Sequence, residues 1–118
     1  MKKKIAIVIL TFNSEKTIKK TILASKKITK NIFIVDSNSN DKTVSICKKL
    51  KCTIFERIFK NYSDQRNWIM NKLNIKYLWQ LHLDADEVLD IHAIKSINTI
   101  INKKNIYKKV FLIRRKYY

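Results

Sequence analysis

The stretch Leu81-His82-Leu83-Asp84-Ala85-Asp86-Glu87 closes an apolar run that begins at Tyr77. Short aromatic and aliphatic runs that end at polar residues are typical of buried strands, so residues 77–83 are predicted to form one. The carboxylates that follow would then lie at the carboxyl edge of a sheet, where open α/β sheets bind ligands. In an extended segment Asp84 and Asp86 would share a face, and two such oxygen donors suit Mg²⁺ or Mn²⁺ carried in with a phosphate. Taken alone, the stretch fits equally well a set of acids that cap the next helix.

Apolar runs alternate with amphipathic segments along the rest of the chain. Strands are predicted at residues 4–10, 31–35, 52–56, 77–83 and 110–113. Helices are predicted at residues 15–25, 42–51, 61–73 and 91–101, with N-caps at Ser14, at Asn40 or Asp41, at Ser63 and at Asp90. This alternation with short connections predicts one α/β domain over residues 1–118, with a mostly parallel sheet covered by helices.

Polar residues follow three of the predicted strands. They occupy residues 11–15, 36–41 and 84–87. Because the carboxyl ends of parallel strands meet at one edge, this arrangement predicts a nucleotide site. The chain has no glycine, so neither a dinucleotide fingerprint nor a P-loop can form. Any bound phosphates would therefore need a metal ion and side-chain cations.

Four blocks in this order resemble the family 2 glycosyltransferases of the GT-A (Rossmann-like) fold. They are IVILTFNSE at residues 7–15, IVDSNSNDKT at 34–43, QRNW at 65–68 and LDADE at 83–87. The last three blocks together are most similar to bacterial proteins related to lipopolysaccharide core glucosyltransferases. The resemblance covers nearly the whole chain but only the N-terminal, nucleotide-sugar half of the family's domain.

The resemblance implies a function and a set of site residues. The function is transfer of a sugar from a UDP-linked donor to a cell-envelope glycan or lipopolysaccharide-core acceptor, with inversion and a divalent cation. The implied nucleotide-sugar site consists of Thr11, Asn13, Glu15, Asp36, Arg66 and Asp84. Within it, Asp36 would read the uracil edge and Arg66 would lie near the base or the diphosphate. Asp84 and Asp86 would hold Mg²⁺ or Mn²⁺ against the diphosphate, directly or through water.

The sequence departs from the family pattern in two ways. An acceptor hydroxyl must lose its proton to a base, and in this family that base is normally an acidic residue of the C-terminal half. The resemblance therefore assigns no catalytic residue here, and residues 111–118 resemble the acceptor-side strand cut short. We expect a fold truncated after its donor-binding half, and an inactive remnant that only binds nucleotide is an alternative. The second departure is Asn38, where related sequences usually have glycine; asparagine tolerates the same left-handed backbone.

Several of these residues also have purely structural interpretations. Asp36 could be a strand-end turn residue and Arg66 a solvated helix cation, although the surrounding blocks favour ligand contact. Asp41 and Glu87 are predicted to cap helices rather than to bind ligand or act as a base. His82, inside an apolar strand, is predicted to be a hydrogen-bonded core histidine.

The net charge of +17 suggests a nucleic-acid or anionic-membrane partner. However, the lysines are scattered, and Lys, Ile and Asn all have A/T-rich codons, so genome composition accounts for the charge. A charge-driven nucleic-acid binder would instead need a basic stripe interleaved with aromatics. We therefore expect no specific nucleic-acid partner, while peripheral association with an anionic membrane remains compatible with the charge.

Other features bound the cellular context and exclude related enzymes. Cys47 and Cys52 match neither a zinc pattern nor a disulfide framework, and no membrane span or signal peptide is evident, so a reduced cytoplasmic chain is expected. A strand followed by Asp-x-Asp also occurs in haloacid-dehalogenase phosphatases, but too few residues follow Asp86 for their sheet. A receiver domain needs an acidic pair after strand one, where this chain has residues 11–13, Thr-Phe-Asn.

Overall fold

The structure, a computed structural model, describes residues 3–103. Four strands form one sheet: β1 (Lys3–Thr11), β2 (Ile32–Asp36), β3 (Thr53–Glu56) and β4 (Tyr77–Asp84). Four helices alternate with them: α1 (Ile18–Ser25), α2 (Thr43–Lys49), α3 (Tyr62–Leu73) and α4 (Ile91–Ile101). All strand pairs are parallel and the strand order is β3-β2-β1-β4, which confirms the predicted α/β fold. The strand predicted at residues 110–113 lies outside the described residues.

The central strand β1 is apolar on both faces because helices cover both sides of the sheet. Residues 5–10 are all buried. Ile5, Ile7 and Ile9 pack with α1, α2 and α4 on one face. Ala6 and Val8 pack with Ile69 and Leu73 of α3 on the other. A strand that is buried on both faces has an uninterrupted run of aliphatic residues, which is why β1 could be predicted from the sequence.

The position of β4 creates a crevice at the carboxyl edge. β2 and β3 extend the sheet to one side of β1, and β4 pairs with β1 on the other side. Successive strands are therefore added on one side of β1 as far as β3, and β4 is added on the other side. The crevice at such a change of side is where α/β sheets bind ligands. The register places Leu10 beside Asp84 and Thr11 beside Asp36, so three strand ends stand level.

Two helix starts differ from the predictions. α1 begins at Ile18 rather than at residue 15, and Ser14 is not its cap. The Ser14 Oγ bonds instead with the N–H and the carbonyl of Phe12, both at 3.2 Å, and the Ser14 backbone N–H donates to Thr43 Oγ1, at the start of α2, at 2.7 Å. At α3 the cap is Asn61, whose Oδ1 accepts from the Asp64 N–H at 2.8 Å, and Ser63 lies inside the helix.

The other capping predictions have mixed outcomes. Asp90 caps α4 as predicted, accepting from the Ala93 N–H at 2.8 Å. The N-cap of α2 is Lys42 rather than Asn40 or Asp41, although Asp41 Oδ1, one residue earlier, accepts from the Thr43 N–H at 2.9 Å. Glu87 does not cap α4, because its carboxylate turns back to β4.

Without glycine, the positions with left-handed backbone use other residues. Asn13 has φ 47° and Asn38 has φ 57°, in agreement with the expectation that asparagine takes this role. Lys51, with φ 61°, is an exception. It follows α2, where the Cys52 N–H reaches back to the Cys47 carbonyl at 3.1 Å and closes the helix in a Schellman-type motif. This motif requires a left-handed backbone at the residue in the position of Lys51, whichever side chain that residue has.

Cys47 is buried and Cys52 is half-buried, and both are free thiols. Burial raises the pKa of Cys47 to about 12 and that of Cys52 to about 11, so both stay protonated at neutral pH.

Among residues 3–103, no helix combines the length and the apolarity that crossing a membrane requires.

Candidate functional site

The negative charge of this basic chain is concentrated at the carboxyl edge of the sheet. Each of its nine carboxylates ends a strand, lies in the loop that follows one, or lies at the start of a helix. They are Glu15, Asp36, Asp41, Glu56, Asp64, Asp84, Asp86, Glu87 and Asp90. Because strands and helices alternate in a parallel sheet, strand ends and helix starts share one edge. This edge is thus the part of the surface best suited to attract a cation.

Asn13 joins the loop after β1 to the loop after β2. Its backbone N–H donates to Ser39 Oγ at 2.7 Å, and its Oδ1 accepts from the Asn40 N–H at 2.9 Å. The left-handed backbone at Asn13 turns both groups toward the second loop. Asn13 therefore acts as a rigid link at the rim of the site.

Glu15 makes a second, reciprocal link between the same loops. Its N–H donates to Asp41 Oδ2 at 3.2 Å, and its Oε2 accepts from the Lys42 N–H at 3.3 Å. Burial by itself would raise the pKa of Asp41, but hydrogen bonds from Thr43 and from the Glu15 N–H hold that pKa below its usual value. Asp41 is thus held as a carboxylate by the loops it joins.

Asp36 is a buried anchor at the end of β2, with 0% of its surface exposed. Its Oδ1 accepts from Thr11 Oγ1 and from Ser39 Oγ, both at 2.6 Å, and its Oδ2 accepts from the Ser39 N–H at 2.8 Å. The carboxylate therefore joins the end of β1, through Thr11, to the loop after β2, through Ser39. Its predicted contact with the uracil edge stays a prediction.

Asp84, the last residue of β4, pairs with a cation of α3. Arg66 Nη2 lies 3.0 Å from Asp84 Oδ1, and both side chains keep about 30% of their surface exposed. After Asp84 the chain turns: the Glu87 N–H donates to the Asp84 carbonyl at 3.0 Å, and Glu87 Oε1 accepts from the Asp84 N–H at 2.8 Å. The assumption of an extended segment over residues 84–86 was therefore wrong, because a turn separates the two aspartates.

His82 lies in β4 two residues before Asp84 and is only partly satisfied. Its Nε2 lies 2.9 Å from Gln80 Oε1, whereas its buried Nδ1 has no hydrogen-bond partner within residues 3–103. The prediction of a fully hydrogen-bonded core histidine was therefore wrong at Nδ1. Burial, and then the nearby Arg66 charge, lower the pKa of His82 to about 4. The ring is neutral at pH 7 and adds no charge beneath the site.

Two adjoining cavities lie at the carboxyl edge of the sheet, the larger between β1 and β4 and the smaller between the ends of β1 and β2 and helix α3. The larger, of about 680 Å³, is lined by residues 12–17 and 84–86 together with Leu10, Asp41 and Tyr62. The smaller, of about 240 Å³, is lined by Leu10, Thr11, Phe12, Ser37, Phe59, Tyr62 and Gln65. Leu10, Phe12 and Tyr62 border both, so the two form one cleft with a carboxylate-rich end and an aromatic end.

The aromatic end was not predicted from the sequence. Phe12 and Tyr62 are 60% and 64% exposed, and the Phe59 and Tyr62 rings meet edge to face at 5.1 Å. Exposed rings around a concave site are typical of ligand pockets. The available signal was an aromatic residue at Phe12, two positions after the end of a predicted strand, where solvent exposure is expected.

The carboxylate-rich end suits a metal that is shared with a ligand. Within the described part of the chain, no group of three or more His, Cys, Asp or Glu side chains could hold a metal ion. Mg²⁺ is commonly held by one or two carboxylates plus phosphate oxygens rather than by an all-protein cage. Exposed Asp86 and half-buried Asp84 both line the larger cavity and provide this donor set.

The structure thus brings most of the predicted site residues to one cleft. Asn13, Glu15, Asp84 and Asp86 line the larger cavity and Thr11 lines the smaller one. Asp36 lies beneath Thr11, and Arg66 contacts Asp84. The roles assigned to these residues by resemblance remain predictions.

Comparisons with known proteins agree on one family. The sequence profile described as glycosyl transferase family 2 matches residues 6–113. An uncharacterized glycosyltransferase of Rickettsia bellii is 32% identical over 103 residues, covering 87% of this chain and 34% of that protein. One from Rickettsia typhi is 32% identical over 103 residues, covering 87% and 35%.

The fold has a solved counterpart. The crystal structure of S. aureus TarS, residues 1–349, aligns with a TM-score of 0.69 at 22% identity. The alignment covers 86% of this chain and 32% of that one, and it concerns the fold alone. The chain spans about a third of the length of the curated relatives it matches.

Proposed function

This chain belongs to glycosyl transferase family 2, and on that basis we propose that it binds a nucleotide-sugar donor, UDP-linked, in the cleft formed by the two cavities at the carboxyl edge of the sheet. The full activity we propose is transfer of the sugar, with inversion and metal assistance, to a cell-envelope glycan such as a lipopolysaccharide-core acceptor. Residues of this chain bind the donor and stabilise its leaving group. None of them is assigned the role of general base.

The observation that carries this proposal is the division of the cleft into two chemically different ends. A nucleotide sugar has a flat base at one end and a diphosphate with a sugar at the other. The smaller, aromatic cavity offers Phe12 and Tyr62 to the base, and the larger cavity offers Asp84 and Asp86 to a diphosphate-bound cation. The combined volume suits a ligand of that size, and stacking on exposed rings stabilises a base.

Four of the predicted residues are given roles in this proposal. Bound Mg²⁺ or Mn²⁺ would be held by Asp84 and Asp86, and it would neutralise charge that develops on the diphosphate. Arg66 supplies a second positive charge beside Asp84. Asp36 acts mainly by holding Thr11 and Ser39, and direct contact with a base would require Ser39 to give up its hydrogen bonds.

An anionic membrane surface on the cytoplasmic side is the proposed location of the acceptor. Helices α1 and α2 pack side by side and contain no carboxylate. The exposed lysines of these helices and of the turns that follow them are Lys19, Lys20, Lys26, Lys27, Lys30, Lys48, Lys49 and Lys51. Lysines near an anionic lipid surface each add an attraction of about 1 kcal/mol. This layer supports peripheral association.

The alternative of a charge-driven nucleic-acid binder has less support. Such a protein interleaves cations with the rings on which bases stack. Here the exposed rings of Phe12, Phe59 and Tyr62 lie at the acidic edge, away from the lysines of α1 and α2. The alternative of a remnant that binds nucleotide without turnover shares every binding feature and is separated only by a transfer assay.

The direct test is titration of the 118-residue chain with UDP and UDP-sugars, with Mn²⁺ or with EDTA. We expect Mn²⁺ to strengthen UDP binding about tenfold or more in the wild type and to have no such effect in Asp86→Ala. The matched control is Asp90→Ser, which removes a carboxylate from the same edge but keeps a helix-capping side chain. Equal binding with and without Mn²⁺ would refute the metal assignment, and absence of UDP binding would refute the proposed donor.

A further inference from the structure

A buried threonine of α1 contacts the turn that carries the two aspartates. Thr21 is 0% exposed, and its Oγ1 donates to the Ala85 carbonyl at 2.6 Å, across 64 positions of sequence. The same oxygen lies 3.4 Å from the Thr17 carbonyl, a longer distance than that of a good hydroxyl hydrogen bond. The single hydroxyl proton therefore belongs to Ala85, in a bond between α1 and the turn after β4.

The carbonyl of Ala85 controls the direction of its neighbour. Ala85 lies between Asp84 and Asp86, and its carbonyl belongs to the peptide plane that it shares with Asp86. Because that plane is rigid, fixing its oxygen limits the orientations open to the Asp86 backbone. The bonds between Glu87 and Asp84 hold the two ends of the turn to each other, but they do not connect the turn to the opposite wall of the cleft.

The helix that carries Thr21 is itself tied to that opposite wall. The loop that enters α1 is linked to the loop after β2 through Asn13 and Glu15. The Thr21 hydroxyl thus connects the turn at residues 84–87 to α1 and, through α1, to the loops on the opposite wall of the cleft, whereas the Asp84–Arg66 ion pair connects it to α3. Groups that must coordinate together are effective only when neighbouring groups fix their geometry.

We propose that Thr21 is a positioning residue, which holds Asp84 and Asp86 in the orientation that binds a metal–diphosphate complex. This inference rests on the proposed function, because it takes the turn to be the metal-binding element. Thr21 itself contacts neither metal nor donor. Without its hydroxyl, the turn samples more orientations and the fraction competent to bind metal falls.

The test compares Thr21→Val, which removes the hydroxyl at nearly constant shape, with Thr21→Ser, which keeps it. Ser25→Ala is the matched control, since Ser25 is also fully buried in α1 but donates only to the Thr21 carbonyl within the helix, at 2.8 Å. Melting temperatures confirm that each variant is folded. Two properties are measured on each: hydrogen exchange of the Glu87 amide, and UDP affinity with Mn²⁺ and with EDTA.

We expect the Glu87 amide to exchange about 3- to 10-fold faster in Thr21→Val, which corresponds to loss of one hydrogen bond. The Mn²⁺-dependent part of UDP binding should weaken by a similar factor, while binding in EDTA stays unchanged. Thr21→Ser should restore both properties and Ser25→Ala should change neither.

Unchanged exchange in Thr21→Val would overturn the inference whatever the nucleotide does. So would equal weakening of UDP binding in Mn²⁺ and EDTA, or an equal effect in Ser25→Ala, because each would indicate general damage to α1. If the wild type shows no Mn²⁺-dependent UDP binding, the proposed function and the metal-positioning role both fail, while faster Glu87 exchange in Thr21→Val would still establish the anchoring contact.

Discussion

Arg66 Nη2 of α3 lies 3.0 Å from Asp84 Oδ1 of β4, so a cation already occupies one side of the carboxylate that is proposed to bind metal. The two residues are 18 positions apart and meet because α3 crosses to the face of the sheet opposite α1. A metal ion and a guanidinium compete for the same carboxylate oxygens. Arg66 is therefore expected to have two opposite effects: it lowers the affinity of the site for the metal ion and raises its affinity for the diphosphate.

Arg66→Ala is expected to separate these two effects. Mn²⁺ alone should bind more tightly, because Asp84 loses its competing cation, while UDP with saturating Mn²⁺ should bind about tenfold more weakly. Stability should change by less than about 1 kcal/mol, since both side chains are partly exposed. Calorimetric titration measures both affinities, and Lys72→Ala, a second cation of α3 near the Trp68 ring, is the control. Weaker Mn²⁺ binding in Arg66→Ala would contradict the competition.

Asp36→Ala should destabilise the protein by about 2–3 kcal/mol, because it leaves Thr11 Oγ1 and the two donors of Ser39 without their buried acceptor. Denaturant unfolding followed by circular dichroism measures this change. Exposed Asp86→Ala is the comparison and should cost less than about 0.5 kcal/mol. Equal stability of the two variants would show that Asp36 is not the structural anchor described above.

His82 makes stability depend on pH in a defined window. Its folded pKa of about 4 lies below the unfolded value of 6.5, so between these values the unfolded chain binds the extra proton. The contribution of His82 to the free energy of unfolding should therefore be fully present above pH 6.5 and decrease as the pH falls. Below about pH 4, where the ring is protonated in both states, His82 should cause no further decrease. The loss is roughly 1–3 kcal/mol.

Unfolding free energies of the wild type and His82→Gln between pH 4 and pH 7 test this expectation. The variant should be nearly flat across the window, whereas exposed His92→Gln should follow the wild type. The same slope in wild type and His82→Gln would assign the effect to other groups.

Lys51→Gly should stabilise the protein by about 1 kcal/mol, because glycine adopts the left-handed backbone after α2 without the strain that a Cβ atom adds. Thermal unfolding provides the measurement. Lys49→Gly, two residues earlier and still helical, should destabilise by a similar amount. A loss of stability in Lys51→Gly would indicate that the lysine side chain contributes more than its backbone costs.

Features that depend on neighbouring residues could be predicted from the sequence, whereas features that depend on distant contacts could not. The four strands of residues 3–103 were found within a residue or two, because each is an apolar run between polar residues. The start of α1 was misplaced, because the segment before it is held elsewhere: the Ser14 N–H donates to Thr43, the first residue of α2. The pattern of residues 15–18 contains no sign of that distant acceptor.

The sequence alone determined the class of fold and the placement of carboxylates after strand ends, since both depend on neighbouring residues and on the rule that parallel strands share an edge. Only the tertiary structure decided how those carboxylates are used. It buried Asp36 beneath Thr11, paired Asp84 with Arg66 and joined Thr21 to Ala85. Each of these contacts links residues 18 to 64 positions apart, and such contacts depend on strand register and on how helices pack across the sheet rather than on any local pattern.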